Sequence, residues 1–508
     1  MDRIDEGSGG ERRVECLIVG AGFGGLCTAI RLKQRGVENF VVLEQARDVG
    51  GTWEANTYPG CACDVQSHLY SFSFEPNPDW SRVFSPQPEI WEYLRRCVER
   101  YGLRRHLRLG TSLSQARFDE GADEWRVAAS DGSIWRARIL VVATGGLSVP
   151  SLPSLPGRER FAGESFHSAR WPADVDLSGR RVAVIGTGAS AIQIVPAIAE
   201  QAATVHLFQR TPPWILPRRD RRIGRTERRL FRRVPLVRRF YRALLYLQLE
   251  SRAVVFTVWP ALTRLVAMMG RRHLRRSVAD PALRARLEPD YPPGCKRVLL
   301  SDDFYPTLER DNVTLVPLAA REITRNTVVA ADGSATEVDA IVYATGFRAT
   351  SPIPPGLIVG RSGLDLTERW RDGAEAYKGM AVSGFPNLCL LMGPNTALGH
   401  NSVVFMIEAQ VHYVMRALTA MREAGATRVE VRPEVEAAWN ERLQRRLSRT
   451  VWSRGCRSWY QDERGRIVTL WPGFTVEYWL RTRRFDAPSY EFSSRPIRAA
   501  AFLGSRAA

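Results

Sequence analysis

Apolar positions along this chain follow two rhythms. Short unbroken apolar runs read as strands buried on both faces, and stretches with apolar residues three and four apart read as helices. The run Glu15-Cys16-Leu17-Ile18-Val19 breaks into Gly20-Ala21-Gly22-Phe23-Gly24-Gly25, and helical spacing resumes from Leu26 to Leu32. A second run at 40–43 closes on Glu44. The same order returns from Arg181: a run at 182–185, then Gly186-Thr187-Gly188-Ala189-Ser190-Ala191, then Ile192-Gln193-Ile194-Val195. Its second run, at 205–208, closes on Gln209-Arg210-Thr211. Runs at 139–143 and 339–344 both end in Ala-Thr-Gly, through Thr144-Gly145 and Thr345-Gly346. From about 215 to 292 the spacing is helical, without strand rhythm. The pattern predicts an α/β fold with two Rossmann-like dinucleotide-binding domains and one helical insertion.

Strand, GxGxxG and helix in succession build a phosphate cradle. Gly20 permits the tight turn, Gly22 lets backbone approach a pyrophosphate, and Gly25 allows the helix to pack on the strand. Gly186, Gly188 and Ala191 hold the equivalent places in the second copy, with Thr187 and Gln193 in the same turn and helix. The residue that closes the second strand discriminates between nucleotides. Glu44 suits free ribose hydroxyls, whereas Arg210, with Thr211 beside it, suits a 2′-phosphate. The first turn therefore fits FAD and the second NADPH. Thr144, Gly145 and Thr345 mark candidate chain crossings beside the cofactors. The bland alternative, that the glycines are merely structural, is weakened by their duplication with the discriminating residue in place.

Composition narrows the picture. A chain of 508 residues has room for about three domains, and 44% hydrophobic with 25% charged residues is a globular composition. Net charge is +18, yet only Lys33, Lys296 and Lys378 are lysines, and 210–297 holds 23 basic against 6 acidic residues. The basicity belongs to that segment, which argues against a nucleic-acid-binding protein. No metal-ligand cluster stands out. The eight cysteines contain no CxxC pair, so a reduced, cytoplasmic compartment is expected. The polar opening residues predict no signal peptide, and no apolar run is long enough for a spanning helix.

Two further motifs carry a family resemblance. Phe161, Gly163, His167, Trp171 and Pro172 resemble the fingerprint of the Baeyer–Villiger monooxygenases, class B flavoproteins with two dinucleotide-binding domains. Gly50-Gly51-Thr52-Trp53, Tyr58-Pro59-Gly60 and Asp64 resemble a second signature of that family, and Ser458-Trp459-Tyr460 with Trp471-Pro472-Gly473 its late segments. The resemblance implies an NADPH- and O2-dependent oxidation of ketones to esters or lactones through a C4a-peroxyflavin. It implies that Glu44, Gly51, Thr52, Trp53 and Asp64 surround FAD and that Lys296 holds the NADP phosphate. Catalysis falls to Arg297, Asp64 and His167. Arg297 faces the flavin, Asp64 orients Arg297, and His167 couples NADP binding to domain movement. Trp459 contacts the nicotinamide ribose. The polar loop from Gly393 to Ser402 is either a flavin-edge or substrate contact or a plain helix cap.

The implied domain plan is an FAD domain at 1–150 and 340–508, a linker at 150–175 carrying the fingerprint, and an NADP domain at 175–340. The insertion at 215–292 reads as a packed lid with a solvated arginine face. Its alternative is a basic amphipathic surface that touches membrane. An N- or S-oxygenating flavin monooxygenase is the alternative for the whole chain, and a basic membrane- or nucleic-acid-binding module a remote one.

Overall fold

The computed structural model describes residues 5–6, 10–350, 352–453 and 455–494. The remainder of the expected FAD-domain span, at 1–4, 7–9, 351, 454 and 495–508, lies outside the described residues. Strand Glu11–Val19 carries the first glycine turn at its end and occupies the middle of a parallel sheet. Phe40–Glu44 lies on one side, with Leu17 opposite Val41, and Ile134–Val142 on the other, with Leu17 opposite Leu140. Leu107–Leu109 and Leu388–Leu390 extend the sheet in parallel. The unbroken apolar sequence is explained by burial on both faces. Cys16 and Ile18 face a core shared with helices Phe23–Lys33 and Val403–Glu423, whereas Leu17 and Val19 pack with Trp125 and Trp135.

The second sheet repeats the scheme. Its parallel order is Val313–Val316, Thr204–Phe208, Arg181–Ile185, Ala340–Tyr343, Glu164–His167, so the second glycine-turn strand is again central. In both sheets the neighbour opposite the second strand is the one that ends in Ala-Thr-Gly. Antiparallel strands lie outside each parallel block: Leu113–Asp119 and Glu124–Ala129 extend from Ile134–Val142, and Ala320–Ile323, Thr327–Ala330 and Ala335–Glu337 form a separate sheet. The chain crosses between the blocks where the two Ala-Thr-Gly turns run on. There Ser151 N donates to Gly346 O at 2.8 Å and Arg348 N to Val149 O at 2.9 Å.

The insertion contains helices Arg225–Arg233, Pro235–Glu250, Thr263–Ser277 and Pro281–Leu287. Two features differ from the sequence reading. Residue 215 opens not on helix but on a two-residue strand, Ile215–Leu216, paired in parallel with Leu299–Leu300. The outward face of Pro235–Glu250 is apolar rather than arginine-rich, with Leu236 72%, Phe240 66% and Leu247 62% exposed. Polar anchors hold the inner face. Arg242 donates to His68 O at 2.6 Å and to Ser71 O at 2.9 Å, and Glu250 accepts from Asn401 Nδ2 and Thr475 Oγ1, both at 2.7 Å.

Cysteine usage also departs from the expectation of reduced thiols. Cys295 and Cys456, 161 residues apart, form a disulfide. Chain spacing carries no signal for this pair, because each cysteine follows a glycine in a separate loop.

Candidate active site

The first cradle is built on contacts that only glycine permits. Gly20 has φ +101°, and a Cβ there would stand 2.7 Å from Ala143 O. A Cβ on Gly25 would stand 1.8 Å from Gly20 O, so the helix lies on the turn with no room for a methyl group. Gly22 faces the Gly50-Gly51 loop: Gly50 N donates to Ala21 O at 3.0 Å, and a Cβ on Gly51 would approach Gly22 Cα to 3.1 Å. The structure thereby brings the second signature onto the first turn. Thr52 and Trp53 begin the short helix Thr52–Ala55 there, with Trp53 buried and its indole N–H donating to Tyr70 Oη at 3.2 Å. Glu44 is buried at the end of its strand and accepts from Ala21 N at 2.6 Å and Ala46 N at 2.9 Å. Burial raises its pKa, and those backbone donors partly offset the rise.

The second cradle repeats the close contact. Gly186 has φ +111°, and its Cβ would stand 2.5 Å from Ala344 O, whereas Gly188 has open space around it. Ala191 is fully buried at the start of helix Ala191–Ile198. Thr187 Oγ1 donates to Thr211 O at 2.9 Å, which ties the turn to the end of the second strand, and Arg210 is exposed beside it. Gln193 faces the other unit. Its amide donates to Ala62 O at 2.9 Å and accepts from Tyr58 Oη at 3.0 Å, while a Cβ on Gly60 would stand 2.6 Å from Gln193 O. The loop carrying Tyr58-Pro59-Gly60 is thus clamped against the second cradle's helix.

That clamp positions Asp64. Arg297 Nε and Nη2 donate to Asp64 Oδ2 at 3.0 and 2.6 Å across 233 residues of sequence. Both side chains are about a third exposed, at 32% and 29%. Asp64 raises the guanidinium pKa further, against the opposing effect of desolvation. Burial alone would raise the Asp64 carboxyl, but Arg297, with Arg218 in support, outweighs it and holds the group below the usual range. The pair is therefore ionised throughout the neutral range. Tyr460 is buried beside it, its phenol pushed up to about 12 by burial although Arg297 pulls the other way. Lys296 extends its ammonium over the Tyr291 ring at 4.8 Å, and its pKa is lowered by desolvation and by Arg210. Lys296 and Arg210 thus converge from opposite ends of the basic segment. Trp459 is 38% exposed and packs on Tyr460, with ring centroids 4.6 Å apart.

His167 stands apart from this pair. Its Nδ1 accepts from Ala169 N at 3.1 Å, which leaves the proton on Nε2 to donate to Gly346 O at 2.9 Å. Burial lowers its pKa. The ring is neutral and bolts strand Glu164–His167 to the second Ala-Thr-Gly crossing. Thr345 Oγ1 donates to Ser151 O at 2.6 Å at the same crossing, whereas Thr144 is exposed next to Gly145.

The residues present fit two dinucleotides. Neither cradle helix has a side-chain N-cap or an acidic residue in its first turn. The first-turn N–H groups of Phe23–Lys33 are therefore open to an anion, whereas in the second cradle Ile192 N and Gln193 N already donate to Gly188 O and Ser190 O, which leaves the turn preceding them to meet one.

Residues 12–357 match the family described as flavin-binding monooxygenase-like. The chain belongs to this family. Among its relatives is a Baeyer–Villiger monooxygenase of Pseudomonas aeruginosa, 49% identical over 490 residues, spanning 96% of this chain and 93% of that protein. A second, from Streptomyces coelicolor, is 46% identical over 497 residues, spanning 97% and 95%. The solved structure of OTEMO in complex with FAD and NADP superimposes with a TM-score of 0.85 at 29% identity, covering 94% of this chain and 99% of that one.

In this flavin-binding monooxygenase-like chain one neighbour of the Arg297–Asp64 pair is not marked by the sequence. Arg218 donates to Cys63 O at 2.9 Å, next to Asp64, and helps to hold that carboxylate ionised. It belongs to an arginine-rich run with nothing to distinguish it. His400, in the polar loop before helix Val403–Glu423, has both ring nitrogens buried without a hydrogen-bond partner, and burial pushes its pKa down to about 3. Ser402 at the start of that helix makes no side-chain cap bond, and Asn401 is tied to Glu250 of the insertion.

Proposed function

We infer that this chain is an NADPH- and O2-dependent Baeyer–Villiger monooxygenase that converts a ketone to an ester or lactone. In this reading the unit around Glu11–Val19 holds FAD and the unit around Arg181–Ile185 holds NADPH; because Glu164–His167 and Ala340–Tyr343 pair into the second sheet, that unit extends beyond the expected 175–340, and the crossings follow Val149 and Tyr343. Held by the first cradle, FAD would supply the redox chemistry by which two electrons from NADPH reduce O2, so that one oxygen atom is inserted beside the ketone carbonyl and the other, with two protons, leaves as water. The first cradle, with Gly51, Thr52 and Trp53, binds the flavin nucleotide, and Glu44 orients its ribose. The second cradle, Arg210 and Lys296 bind NADPH and favour it over NADH. Arg297 supplies a fixed cation where negative charge develops, a role suited to a guanidinium that keeps its proton at working pH. Asp64 aims it through two hydrogen bonds and tempers its charge. His167 is a positioning residue, because its ring bonds backbone on both sides.

The observation that carries the reading is the Arg297–Asp64 pair, set where the Tyr58–Gly60 loop meets the second cradle. Arg297→Ala tests it. With one preorganised charge removed from the reacting centre, ester or lactone formation should fall by about 100-fold or more while FAD stays bound. Full ketone oxidation by the variant, or a wild-type enzyme that yields only N- or S-oxides across a ketone panel, would overturn the reading.

A second proposal concerns the insertion, which we read as a peripheral contact with anionic membrane. Leu236, Phe240, Leu244 and Leu247 make an exposed apolar stripe on Pro235–Glu250, and Trp259, Leu265, Met268 and Met269 continue it beyond the bend. On Thr263–Ser277 the same outer face runs on into exposed Arg272 and Arg276. No single helix among the described residues is long and apolar enough to cross a membrane. An apolar face bordered by arginines is the composition of an interfacial surface, and the like charges disfavour a second copy of the chain. Vesicles of phosphatidylglycerol should carry the holoenzyme on flotation at low salt and release it at high salt, and Leu236→Ser/Phe240→Ser should abolish binding. Absence of flotation at low salt, or self-association that the same double variant removes, would sink this proposal.

A further inference from the structure

The disulfide lies one residue from the proposed phosphate clamp. Gly294 and Gly455 each precede a bridged cysteine, at φ +96° and +87°. A Cβ on Gly294 would meet the Phe256 ring at 2.6 Å, and one on Gly455 would meet Pro292 at 3.0 Å. The two Gly-Cys turns are therefore pressed into one packed spot, where Cys295 joins Trp214, Ala267 and Tyr291 in a small core with Cys456 at its edge. The residues just beyond each cysteine belong to the proposed site. Lys296 and Arg297 leave one side, and Trp459 and Tyr460 the other. Lys296 rests on the Tyr291 ring, whose hydroxyl donates to Pro212 O at 3.0 Å, two residues past Arg210. Tyr460 is buried beside Arg297.

We propose that the Cys295–Cys456 disulfide is a positioning bond with redox control over NADPH binding. Closed, it holds Lys296 and Arg297 in register with the Trp459-Tyr460 loop. Opened, it lets that loop separate from the clamp, and NADPH is held less tightly while FAD remains. The proposal rests on Lys296 and Trp459 lying at the NADP end of the site. A dithiol supplies the reductant. Its thiolate attacks Sγ of Cys456, the more accessible sulfur, and Cys295 leaves as a thiolate that takes a proton. The second thiol resolves the mixed disulfide. Two electrons and two protons pass to the pair, and the dithiol becomes a cyclic disulfide.

Purified FAD-loaded enzyme is the material for the test. Denatured without reductant, it should show six reactive thiols among its eight cysteines, with the 295–456 peptides linked in a non-reduced digest. Calorimetric titration with NADP+ should show affinity about ten-fold weaker after dithiothreitol, the scale of one lost charge-assisted contact. Reoxidation should restore it. Cys295→Ser/Cys456→Ser should match the reduced wild type and ignore dithiothreitol, and Cys389→Ser should respond like wild type. A merely structural bond would lower thermal stability and FAD content and leave NADP+ affinity unchanged. Eight free thiols, or equal NADP+ affinity in the two redox forms, would overturn the inference. If the double variant fails to fold, titration of the wild type decides. No ketone enters these measurements, so loss of ester formation as a finding would leave them intact.

Discussion

Arg210 is exposed at the end of Thr204–Phe208 and faces Lys296, so its removal isolates nucleotide choice from folding. Arg210→Ala should raise the KM for NADPH by about 10- to 100-fold, the worth of a charged hydrogen bond to the 2′-phosphate, and leave the KM for NADH unchanged. Steady-state kinetics with both nucleotides decide it, and equal losses with each would refute the assignment. Arg210 stands out as a candidate because its offset from Gly186 repeats that of Glu44 from Gly20. Asp64 and Arg297 were legible only through the family signature. Nothing in a lone aspartate after a turn, or in one more arginine of a basic run, predicts contact across 233 residues. Arg218 and the disulfide left no sequence signal, because their significance lies in tertiary neighbours alone, whereas His400 lies in the polar loop that the sequence already marks.

The two cradles show how far an element can be read from its glycines. Both strand–turn–helix units follow the apolar pattern, since a strand buried on two faces has no polar positions to blur it. Their glycines are constrained unequally, however, and this separates stability from binding. Gly25→Ala forces a methyl group into Gly20 O and should cost about 1–3 kcal/mol of stability or more, with flavin lost on purification. Gly188→Ala meets nothing within 4 Å of its Cβ. It should keep its fold and FAD and raise only the KM for NADPH. Flavin absorbance per chain and urea unfolding distinguish these outcomes, and an unaffected Gly25→Ala would show that the helix is not pinned to the turn. The insertion was harder. Periodicity gives Pro235–Glu250 an apolar stripe but does not say which way the stripe faces. Here Leu245 and Leu249 enter the core beside the Arg242 and Glu250 anchors, so the helix is apolar on its inward and its outward side alike.

At the scale of the molecule the insertion shares the main core through Leu245, Leu249 and Phe256 and meets the first unit across a seam that contains His68. This ring is buried against Phe231 and Tyr241 of the insertion, with centroids at 4.6 and 5.5 Å, and its Nε2 has no hydrogen-bond partner. The charged groups facing it are Glu227, Arg238 and Arg242, all from the insertion. Desolvation, with the two arginines adding to it against Glu227, pushes the His68 pKa down to about 4. The imidazole is therefore neutral in the fold, while the unfolded or undocked chain takes up a proton below about 6.5. The undocked state binds more protons in that window, so docking is at full strength above about 6.5 and weakens as pH falls toward 4. The shift sets a ceiling of about 3 kcal/mol on the loss, at about 1.4 kcal/mol per pH unit. Limited proteolysis and hydrogen exchange across 225–277 should thus increase on acidification from pH 7 to about 4.5 and recover on neutralisation. His68→Phe keeps the ring contacts and removes the titration, so it should flatten this response. Equal acid sensitivity in the variant would show that His68 does not control the seam.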